Sequence, residues 1–326
     1  DDATEKFKTK FEQSVKNQLV ADVDVGAFLS GGLDSSTIAA VAKKYKPDLK
    51  TFSFGFEGSK SELHYAKEIA NKYHLNHHEL LAKDIDISQA LLDMAVVYDE
   101  PFADSSNIPT FLISKLASKH SKVILTGDGA DELLGGYSWW YDPLLGIGKS
   151  GNYFKEFTMK VLAKTISRKF HLKAKRLRFG RTYNSVMDAH IDRPTYFNNF
   201  ELDQLLDISF SNSRSYDFEE SNTLNDALNI DLQDYMAGDI LVKTDRASMA
   251  NSLELRSPFL DADFASFCIS LPASLKVTEN EDKLILRRAY QERWTKLIRS
   301  RSKQGFGSPV NKWLKEKNVV ELKNLY

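Results

Sequence analysis

Short apolar runs alternate with amphipathic segments through the first 140 residues of the chain. The runs 25–29, 50–56, 77–81 and 122–126 are predicted strands, because each is short, apolar and bounded by polar or turn-forming residues. The segments between them carry apolar residues at helical spacing. This alternation predicts an α/β fold, with a parallel twisted sheet and helices on both of its faces.

The same pattern divides the chain into three predicted regions. Residues 1–20 form a leading helix, in which apolar residues recur at helical spacing. These residues are Phe7, Phe11, Val15 and Leu19. Residues 21–140 form the α/β core. From about Trp139 strand patterns thin out and helical ones dominate, so residues 141–326 are predicted to be a mostly helical region packed on the sheet.

The first predicted strand leads into a glycine-serine turn at residues 30–36, and a helical pattern follows directly. Two adjacent glycines let backbone N–H groups turn inward without a Cβ in the way. Serine hydroxyls add donors, and the helix N-terminus supplies partial positive charge. Together these features predict a cradle for a phosphate or pyrophosphate. Asp34 suits such a cradle if it holds a Mg²⁺ ion that in turn holds the phosphates.

A second loop, residues 127–137, follows the fourth predicted strand and contains three acids, Asp128, Asp131 and Glu132. Acids this close together repel one another unless a cation gathers them. Loops at the carboxyl ends of parallel strands lie at one edge of the sheet, where ligands bind. Asp34 and Asp131 are therefore the predicted Mg²⁺ ligands, and Asp128 is predicted to point at the reacting group.

Three later stretches are rich in charge. Residues 241–249 and 253–261 are charged but flanked by apolar residues, so their charges are expected to be paired. They form either a structural ion-pair network or a substrate pocket, and the residues alone do not decide between the two. Residues 303–307 form a glycine-rich basic loop, whose Lys303 suits stabilisation of charge that develops on a phosphate.

The loop at 30–36 fits neither the Gly-x4-Gly-Lys-Ser/Thr pattern nor the Gly-x-Gly-x-x-Gly pattern. Its Ser-Gly-Gly-x-Asp-Ser order resembles the PP-loop of ATP pyrophosphatases. Five motifs in order resemble the synthetase domain of glutamine-dependent asparagine synthetases, over a stretch from about Phe7 to Trp313. These motifs are Ser30–Ser36, Gly127–Glu132, Asp245–Met249, Leu253–Asp261 and Lys303–Phe306.

The resemblance implies an amide-forming ligase that depends on ATP and Mg²⁺. A carboxylate substrate, the side chain of aspartate, attacks the α-phosphorus of ATP and gives an acyl-adenylate and pyrophosphate. Ammonia then attacks the acyl carbon, and AMP leaves. The expected products are asparagine, AMP and pyrophosphate.

The resemblance also implies which residues form the site. The candidate catalytic residues are Asp128, Asp245 and Lys303. The candidate ATP- and pyrophosphate-binding residues are Leu29, Ser30, Gly31, Gly32, Leu33, Asp34, Ser35, Ser36, Phe54, Gly127 and Lys303. The candidate substrate-binding residues are Ser105, Ser106, Asn107, Asp131 and Arg256, and the candidate Mg²⁺ ligands are Asp34 and Asp131.

Three departures from the family pattern bear on the substrate. Family members begin with a glutaminase domain that releases ammonia, and this chain carries none; it is expected to be a fragment, to use free ammonia or to receive ammonia from a partner. Asp128 stands where the best-known type has a glutamate. Residues 104–109 replace a threonine- and arginine-containing segment that helps hold substrate. Related β-lactam-forming, lasso-peptide-cyclising or sugar-amidating enzymes are therefore alternatives.

The composition is that of a soluble globular protein, with 42% hydrophobic residues, 27% charged residues and a net charge of −1. No apolar run approaches the length of a membrane span and no signal peptide is visible, so a cytoplasmic location is expected. The single cysteine, Cys268, lies in an apolar pattern and is predicted to pack in the core.

Two polar clusters have more than one interpretation. Residues 160–181 are rich in lysine and arginine, which suggests an RNA surface, as in a tRNA-modifying PP-loop enzyme, or a partner surface. A solvated helix face is favoured, because the chain as a whole is not basic. His74, His77 and His78 are expected to be solvated or hydrogen-bonded and not metal ligands. The sequence leaves open whether the protein forms a homodimer.

Overall fold

The structure is a computed structural model. It describes residues 2–56, 62–82, 86–137, 141, 186–191, 224–301, 308, 310–313 and 315. The predictions for Lys160–Arg181 and for Lys303–Phe306 lie outside these residues.

Four strands alternate with helices in the first part of the chain, as predicted. The elements are α1 (Asp2–Gln18), β1 (Val25–Phe28), α2 (Leu33–Tyr45), β2 (Lys50–Phe56), α3 (Leu63–Tyr73), β3 (Asn76–Ala82), α4 (Ile87–Tyr98), α5 (Asn107–Ala117), β4 (Val123–Leu125) and α6 (Ala130–Leu134). Asp86 caps α4, since its side chain accepts a hydrogen bond of 3.1 Å from the Gln89 backbone N–H.

The later part of the chain contributes mostly helices. These are α7 (Val186–Ile191), α8 (Leu224–Asp231), a π-helix (Leu232–Ile240), α9 (Leu241–Met249), α10 (Ala262–Ser270), α11 (Leu284–Tyr290), α12 (Lys296–Arg299) and α13 (Val310–Trp313). A fifth strand, β5 (Glu254–Arg256), also lies here and pairs with β4. The boundary predicted at residue 140 stays a prediction.

All five strands are parallel and stand in the order β3-β2-β1-β4-β5. The order therefore changes direction between β1 and β4, which are neighbours in the sheet. In open parallel sheets the loops diverge at such a switch point and leave a crevice outside the carboxyl ends of the strands. The two predicted site loops follow β1 and β4, so the topology delivers both of them to this crevice.

The central strands β1, β2 and β4 are largely buried, and their successive side chains point to opposite faces of the sheet. Val25 and Ala27 of β1 belong to a core that includes α1, α2 and α3. Ile124 of β4 and Phe52 of β2 belong to a second core, on the α5 side. Helices therefore cover both faces of the sheet, and the predicted α/β class is confirmed.

Helix α1 packs against elements from the far end of the chain. The Phe11 ring lies 4.7 Å from the Phe259 ring, 5.1 Å from the Phe264 ring and 5.7 Å from the Tyr290 ring, measured between centroids. The predicted helical spacing of apolar residues is thus the spacing of this buried face. Cys268 is buried in the same core, as predicted, and burial raises the pKa of its thiol above the usual range.

Two features are absent from the described residues. None of the helices described is long and apolar enough to cross a membrane. Within the same ranges, no three His, Cys, Asp or Glu side chains form a group suited to a metal ion. His77 instead lies 2.9 Å from the Thr51 hydroxyl, in line with the hydrogen-bonded role expected for it.

Candidate active site

The loop between β1 and α2 folds into a compact turn. The Ser30 backbone N–H donates to the Ser35 hydroxyl at 3.1 Å, and the Gly32 N–H donates to the Ser30 hydroxyl at 3.3 Å. Gly31 has a φ of +70°, and a Cβ there would lie 2.4 Å from the Cβ of Tyr65. Position 31 therefore accepts only glycine, for reasons of both backbone conformation and space.

This turn leaves donors available at the start of α2. The N-cap residue is Gly32, and no side chain caps the helix within the described part of the chain. The first N–H groups of α2 thus lack a side-chain acceptor, and they carry the positive end of the helix dipole. The Ser36 hydroxyl is buried and has no hydrogen-bond partner among the described residues. Such a donor set fits a phosphate group.

The turn is anchored from two sides. The Leu29 N–H donates to the Phe52 carbonyl at 2.8 Å, which fixes the entry to the turn on β2. On the other side, Arg301 donates to the Ser30 carbonyl at 3.1 Å and forms an ion pair with Glu62. Arg301 was not predicted from the sequence.

Phe54, a predicted nucleotide-pocket residue, is buried with its ring 5.0 Å from that of Phe56.

The loop after β4 lies directly against the turn. A Cβ on Gly127 would lie 3.1 Å from the Cβ of Asp34, so the two loops touch. The predicted meeting of loops from distant parts of the sequence is therefore observed. Asp128 turns back toward its own strand, where its carboxylate accepts a 2.8 Å hydrogen bond from the Thr126 hydroxyl.

The two predicted Mg²⁺ ligands share a cation that belongs to the chain. The Lys283 ammonium lies 2.7 and 2.6 Å from the two carboxylate oxygens of Asp34 and 2.6 Å from Asp131 Oδ1. Burial by itself lowers the pKa of Lys283, but the carboxylates of Asp131 and Asp34 outweigh it, so the pKa lies above the usual range. Sequence reasoning missed Lys283.

The two carboxylates are thus close enough to bind one cation together. Mg²⁺ takes one or two protein carboxylates and fills its remaining sites with water and phosphate oxygens. Asp34 and Asp131 fit that description, and the uncapped start of α2 next to Asp34 fits the phosphates. The residues therefore suit a Mg²⁺-bound phosphate chain, provided that the Lys283 ammonium can share or give up its contacts.

A second charged pair marks the predicted substrate loop. The Lys243 ammonium lies 2.6 Å from Asp104, and Ser106 donates to Asp104 from both its N–H and its hydroxyl at 2.8 Å. Burial raises the pKa of Asp104, but Lys243 and Ser106 lower it by more, so it lies below the usual range. The Asn107 side chain accepts a hydrogen bond of 2.6 Å from the Ile108 N–H. The Ser105 carbonyl accepts a hydrogen bond from the Ser308 hydroxyl.

Three further polar side chains lie near the acids of the two charged clusters. The Tyr137 hydroxyl donates to Glu132 at 2.7 Å, and the Tyr137 ring lies 6.0 Å from the Tyr235 ring. Burial and the nearby Asp239 raise the pKa of Tyr235. Burial and Asp104 raise the pKa of Asp239 to about 6. Tyr235 and Asp239 lie on the π-helix, an element that is frequent at functional sites, and sequence reasoning missed both.

Two other predicted residues lie apart from these contacts. Arg256 donates to Glu254 at 2.7 Å and to the carbonyls of Gln18 and Val20 at 3.0 and 2.8 Å. These contacts favour the structural ion-pair interpretation that the sequence left open for this segment. Asp245 is exposed on α9. Lys303 lies outside the described residues, so its role stays a prediction.

The fold and the loops define a class: an α/β protein with a parallel doubly wound sheet and a candidate phosphate site at its switch point. The chain belongs to the asparagine synthase family, whose family model matches residues 6–324.

Named relatives agree with this family. Asparagine synthetase [glutamine-hydrolyzing] 1 of Bacillus subtilis (strain 168) is 34% identical over 323 residues, which are 96% of this chain and 50% of the relative. The putative asparagine synthetase [glutamine-hydrolyzing] of Mycobacterium tuberculosis (strain ATCC 25618 / H37Rv) is 34% identical over 327 residues, which are 95% of this chain and 49% of the relative.

A third relative matches a shorter stretch. Asparagine synthetase B [glutamine-hydrolyzing] of Escherichia coli (strain K12) is 34% identical over 161 residues, which are 43% of this chain and 29% of the relative. The chain spans about half the length of the first two relatives.

Proposed function

We propose that the chain is an ATP-dependent ligase that adenylates the side-chain carboxylate of aspartate and transfers ammonia to it. The products would be asparagine, AMP and pyrophosphate. One observation carries the proposal: in a member of the asparagine synthase family, the loops after β1 and β4 touch, and their acids Asp34 and Asp131 share one cation. The names of the relatives support aspartate as the substrate.

The residues divide the work between the two loops. The start of α2 and the serines of the turn would hold the departing pyrophosphate, because no side chain caps this helix end among the described residues and the Ser36 hydroxyl has no partner there. Asp34 and Asp131 would hold Mg²⁺, which when bound neutralises charge on the phosphates. Positioning and charge compensation of this kind supply most of the catalysis in reactions at phosphorus.

Lys303 would add positive charge at the α-phosphate. Arg301 supports this placement, because it binds the Ser30 carbonyl only two residues before Lys303. Asp128 would face the acyl group, and its hydrogen bond to Thr126 sets it back toward β4.

The carboxylate would bind between the Asp34–Asp131 pair and the Asp104–Lys243 pair. Tyr235 supports this placement, because, besides burial and Asp239, the charges of both Asp104 and Asp131 act on its hydroxyl and raise its pKa. Lys243 is the cation next to the loop that departs from the best-known type, so it would replace the missing arginine in balancing a substrate carboxylate. Ammonia would come from solution, a partner or a glutaminase domain, since the named relatives are glutamine-hydrolysing.

Pyrophosphate release tests the proposal. With ATP, Mg²⁺ and ammonium present, we expect release when L-aspartate is added and little release when glutamate is added. Release with a different carboxylate and without ammonium would favour a β-lactam-forming, lasso-cyclising or sugar-amidating enzyme. No release with aspartate and ammonium, in protein that binds ATP, would refute the asparagine assignment.

Asp34→Asn tests the assignment of Asp34 to Mg²⁺ in the same assay. It keeps the shape of the side chain but removes a charge, so we expect pyrophosphate release to fall by about 100-fold or more. A thermal melt should show that the variant is folded. Unchanged turnover in the folded variant would refute the assignment of Asp34 to Mg²⁺.

A further inference from the structure

Lys283 joins two loops that lie far away from it in the sequence. Its side chain is 3% exposed, and its ammonium contacts Asp34, which lies 249 residues earlier in the chain, and Asp131. The two loops come from neighbouring strands, β1 and β4. One buried ammonium therefore connects the two parts of the candidate phosphate site.

The backbone at Lys283 is held in an uncommon conformation to make this contact. Its φ is +49°, in the left-handed region that residues other than glycine seldom adopt. Neighbouring contacts fix it there: the Leu284 N–H donates to the Lys276 carbonyl at 2.8 Å, and Arg287 pairs with Asp282 at 2.6 Å. The loop before α11 is thus built to aim this side chain at the acids.

The contact uses the oxygens that a metal ion would need. Both carboxylate oxygens of Asp34 lie within 2.7 Å of the ammonium, and so does one oxygen of Asp131. Two carboxylates and one ammonium leave one net negative charge on this cluster. A free divalent cation would have to approach those oxygens next to a fixed positive charge that is buried and therefore weakly screened.

We propose that Lys283 is a positioning residue that occupies the cation position between Asp34 and Asp131 until nucleotide arrives, so that Mg²⁺ binds together with ATP and not before it. This inference rests on the assignment of Asp34 and Asp131 to Mg²⁺ in the proposed function. The triphosphate brings the additional negative charge that lets an ammonium and a divalent cation sit at the same cluster.

The arrangement has two chemical consequences. The acids stay gathered in the absence of metal, because each is paired with the ammonium. The site also stays closed to free metal ions, so it does not have to release a tightly held cation before a new nucleotide–metal complex can enter.

Mn²⁺ binding, followed by the loss of the free-ion EPR signal, tests the proposal with a readout other than activity. Three proteins are compared: the wild type, Lys283→Gln and the control Lys276→Gln. Lys276 is also a buried lysine, but its ammonium lies 3.5 Å from the Ile269 carbonyl and not at the acids. Each protein is titrated alone and with a non-hydrolysable ATP analogue.

Without nucleotide, we expect Lys283→Gln to bind Mn²⁺ about tenfold more tightly than the wild type and Lys276→Gln do, because a neighbouring positive charge is removed. With the analogue, the wild type should bind one Mn²⁺. Equal Mn²⁺ affinity of the wild type and Lys283→Gln without nucleotide would overturn the proposal. Absence of Mn²⁺ binding by the wild type with the analogue would instead refute the metal assignment itself.

The wild-type protein also allows a test without substitution, in case Lys283→Gln does not fold. The ¹⁵Nζ NMR signal of the Lys283 ammonium should shift when Mg²⁺ is added with the analogue and should not shift with Mg²⁺ alone. A shift with Mg²⁺ alone would overturn the proposal, because it would place the metal at the acids before the nucleotide.

Discussion

At the scale of single residues, the ion pair between Asp131 and Lys283 sets the space around Gly136. An alanine Cβ at this position would lie 1.8 Å from Asp131 Oδ1 and 2.3 Å from Lys283 Cε. We expect Gly136→Ala to lower the free energy of unfolding by about 1–3 kcal/mol, because the backbone or the ion pair must move. Urea denaturation measures this change.

Gly238→Ala is the control for that substitution. Gly238 lies in the π-helix, and an alanine Cβ there would have no heavy atom of the described residues within 4 Å. We expect a change of less than about 1 kcal/mol, with stabilisation favoured, since alanine is the better helix former. Equal losses in both variants would show that the contacts of Gly136 are not the cause.

Asp239 makes the stability of the folded protein depend on pH. Its pKa is raised to about 6 in the folded protein by burial and by Asp104, against 3.8 for the isolated side chain. As the pH rises, the Asp239 carboxyl therefore loses its proton at a lower pH in the unfolded state than in the folded state. The contribution of Asp239 to stability falls as the pH rises from about 4 through 6. We expect Asp239→Asn to stabilise the protein by about 1 kcal/mol at pH 8, a value reduced for the partial exposure of the group.

Thermal melts of the wild type and Asp239→Asn at pH 5 and pH 8 measure this effect. The gain from the substitution should be larger at pH 8, because the wild-type carboxyl is ionised there and close to Asp104. A larger gain at pH 5 would contradict the raised pKa. Lys243 and Tyr235 also face Asp239, so the same melts on Tyr235→Phe show whether the neighbouring phenol contributes.

At the residue level, the sequence predicts which residues lie close together where chemistry and topology agree. Asp34 and Asp131 could be paired because each follows a predicted parallel strand, and such loops meet at one edge of a sheet. Lys283 could not be found in this way, since its side chain reaches Asp34 across 249 residues and its own segment has no strand or glycine signal. Long charged side chains that cross between elements depend on packing, which periodicity does not reveal.

At the scale of elements, α1 packs against segments from the later part of the chain. Phe11 is fully buried, and its ring is surrounded by those of Phe259, Phe264 and Tyr290. We expect Phe11→Ala to cost about 3–5 kcal/mol of unfolding free energy, because the cavity cannot close around rigid rings. The control Val20→Ala shortens a side chain at a residue that is 75% exposed, and it should change stability by less than about 0.5 kcal/mol.

Chemical denaturation of both variants provides the measurement. If Phe11→Ala were as mild as Val20→Ala, α1 would be a peripheral helix and not a part of the core. The expected difference follows from burial alone and does not depend on any assumption about function.

Elements were predictable in proportion to the length of their apolar runs. β2 extends over 50–56, as predicted, because it is buried along most of its length and carries a long apolar pattern. β5 has three residues and is only partly buried, so its charged sequence hid its membership in the sheet. β5 pairs with β4 because the edge of the sheet is available to it, and not because its own residues favour a strand.

At the scale of the whole molecule, the sheet and the leading helix both need the far end of the chain. A fragment of residues 1–140 would lack β5 and the aromatic partners of α1. We expect this fragment not to unfold cooperatively on heating, because it leaves a sheet edge and an apolar helix face open. Circular dichroism melts test this, with the full chain as the control. A sharp transition in the fragment would show that the predicted core folds by itself.

The packing of α1 also has a consequence for synthesis. During translation, α1 is made long before its partners Phe259, Phe264 and Tyr290, which lie about 250 residues or more further along the chain. Until they emerge, its apolar face is uncovered, and the growing chain carries an exposed segment prone to aggregation. The protein's yield in a cell should therefore depend on chaperones that shield residues 7–15 during translation, even though the finished fold buries the apolar side chains among them completely.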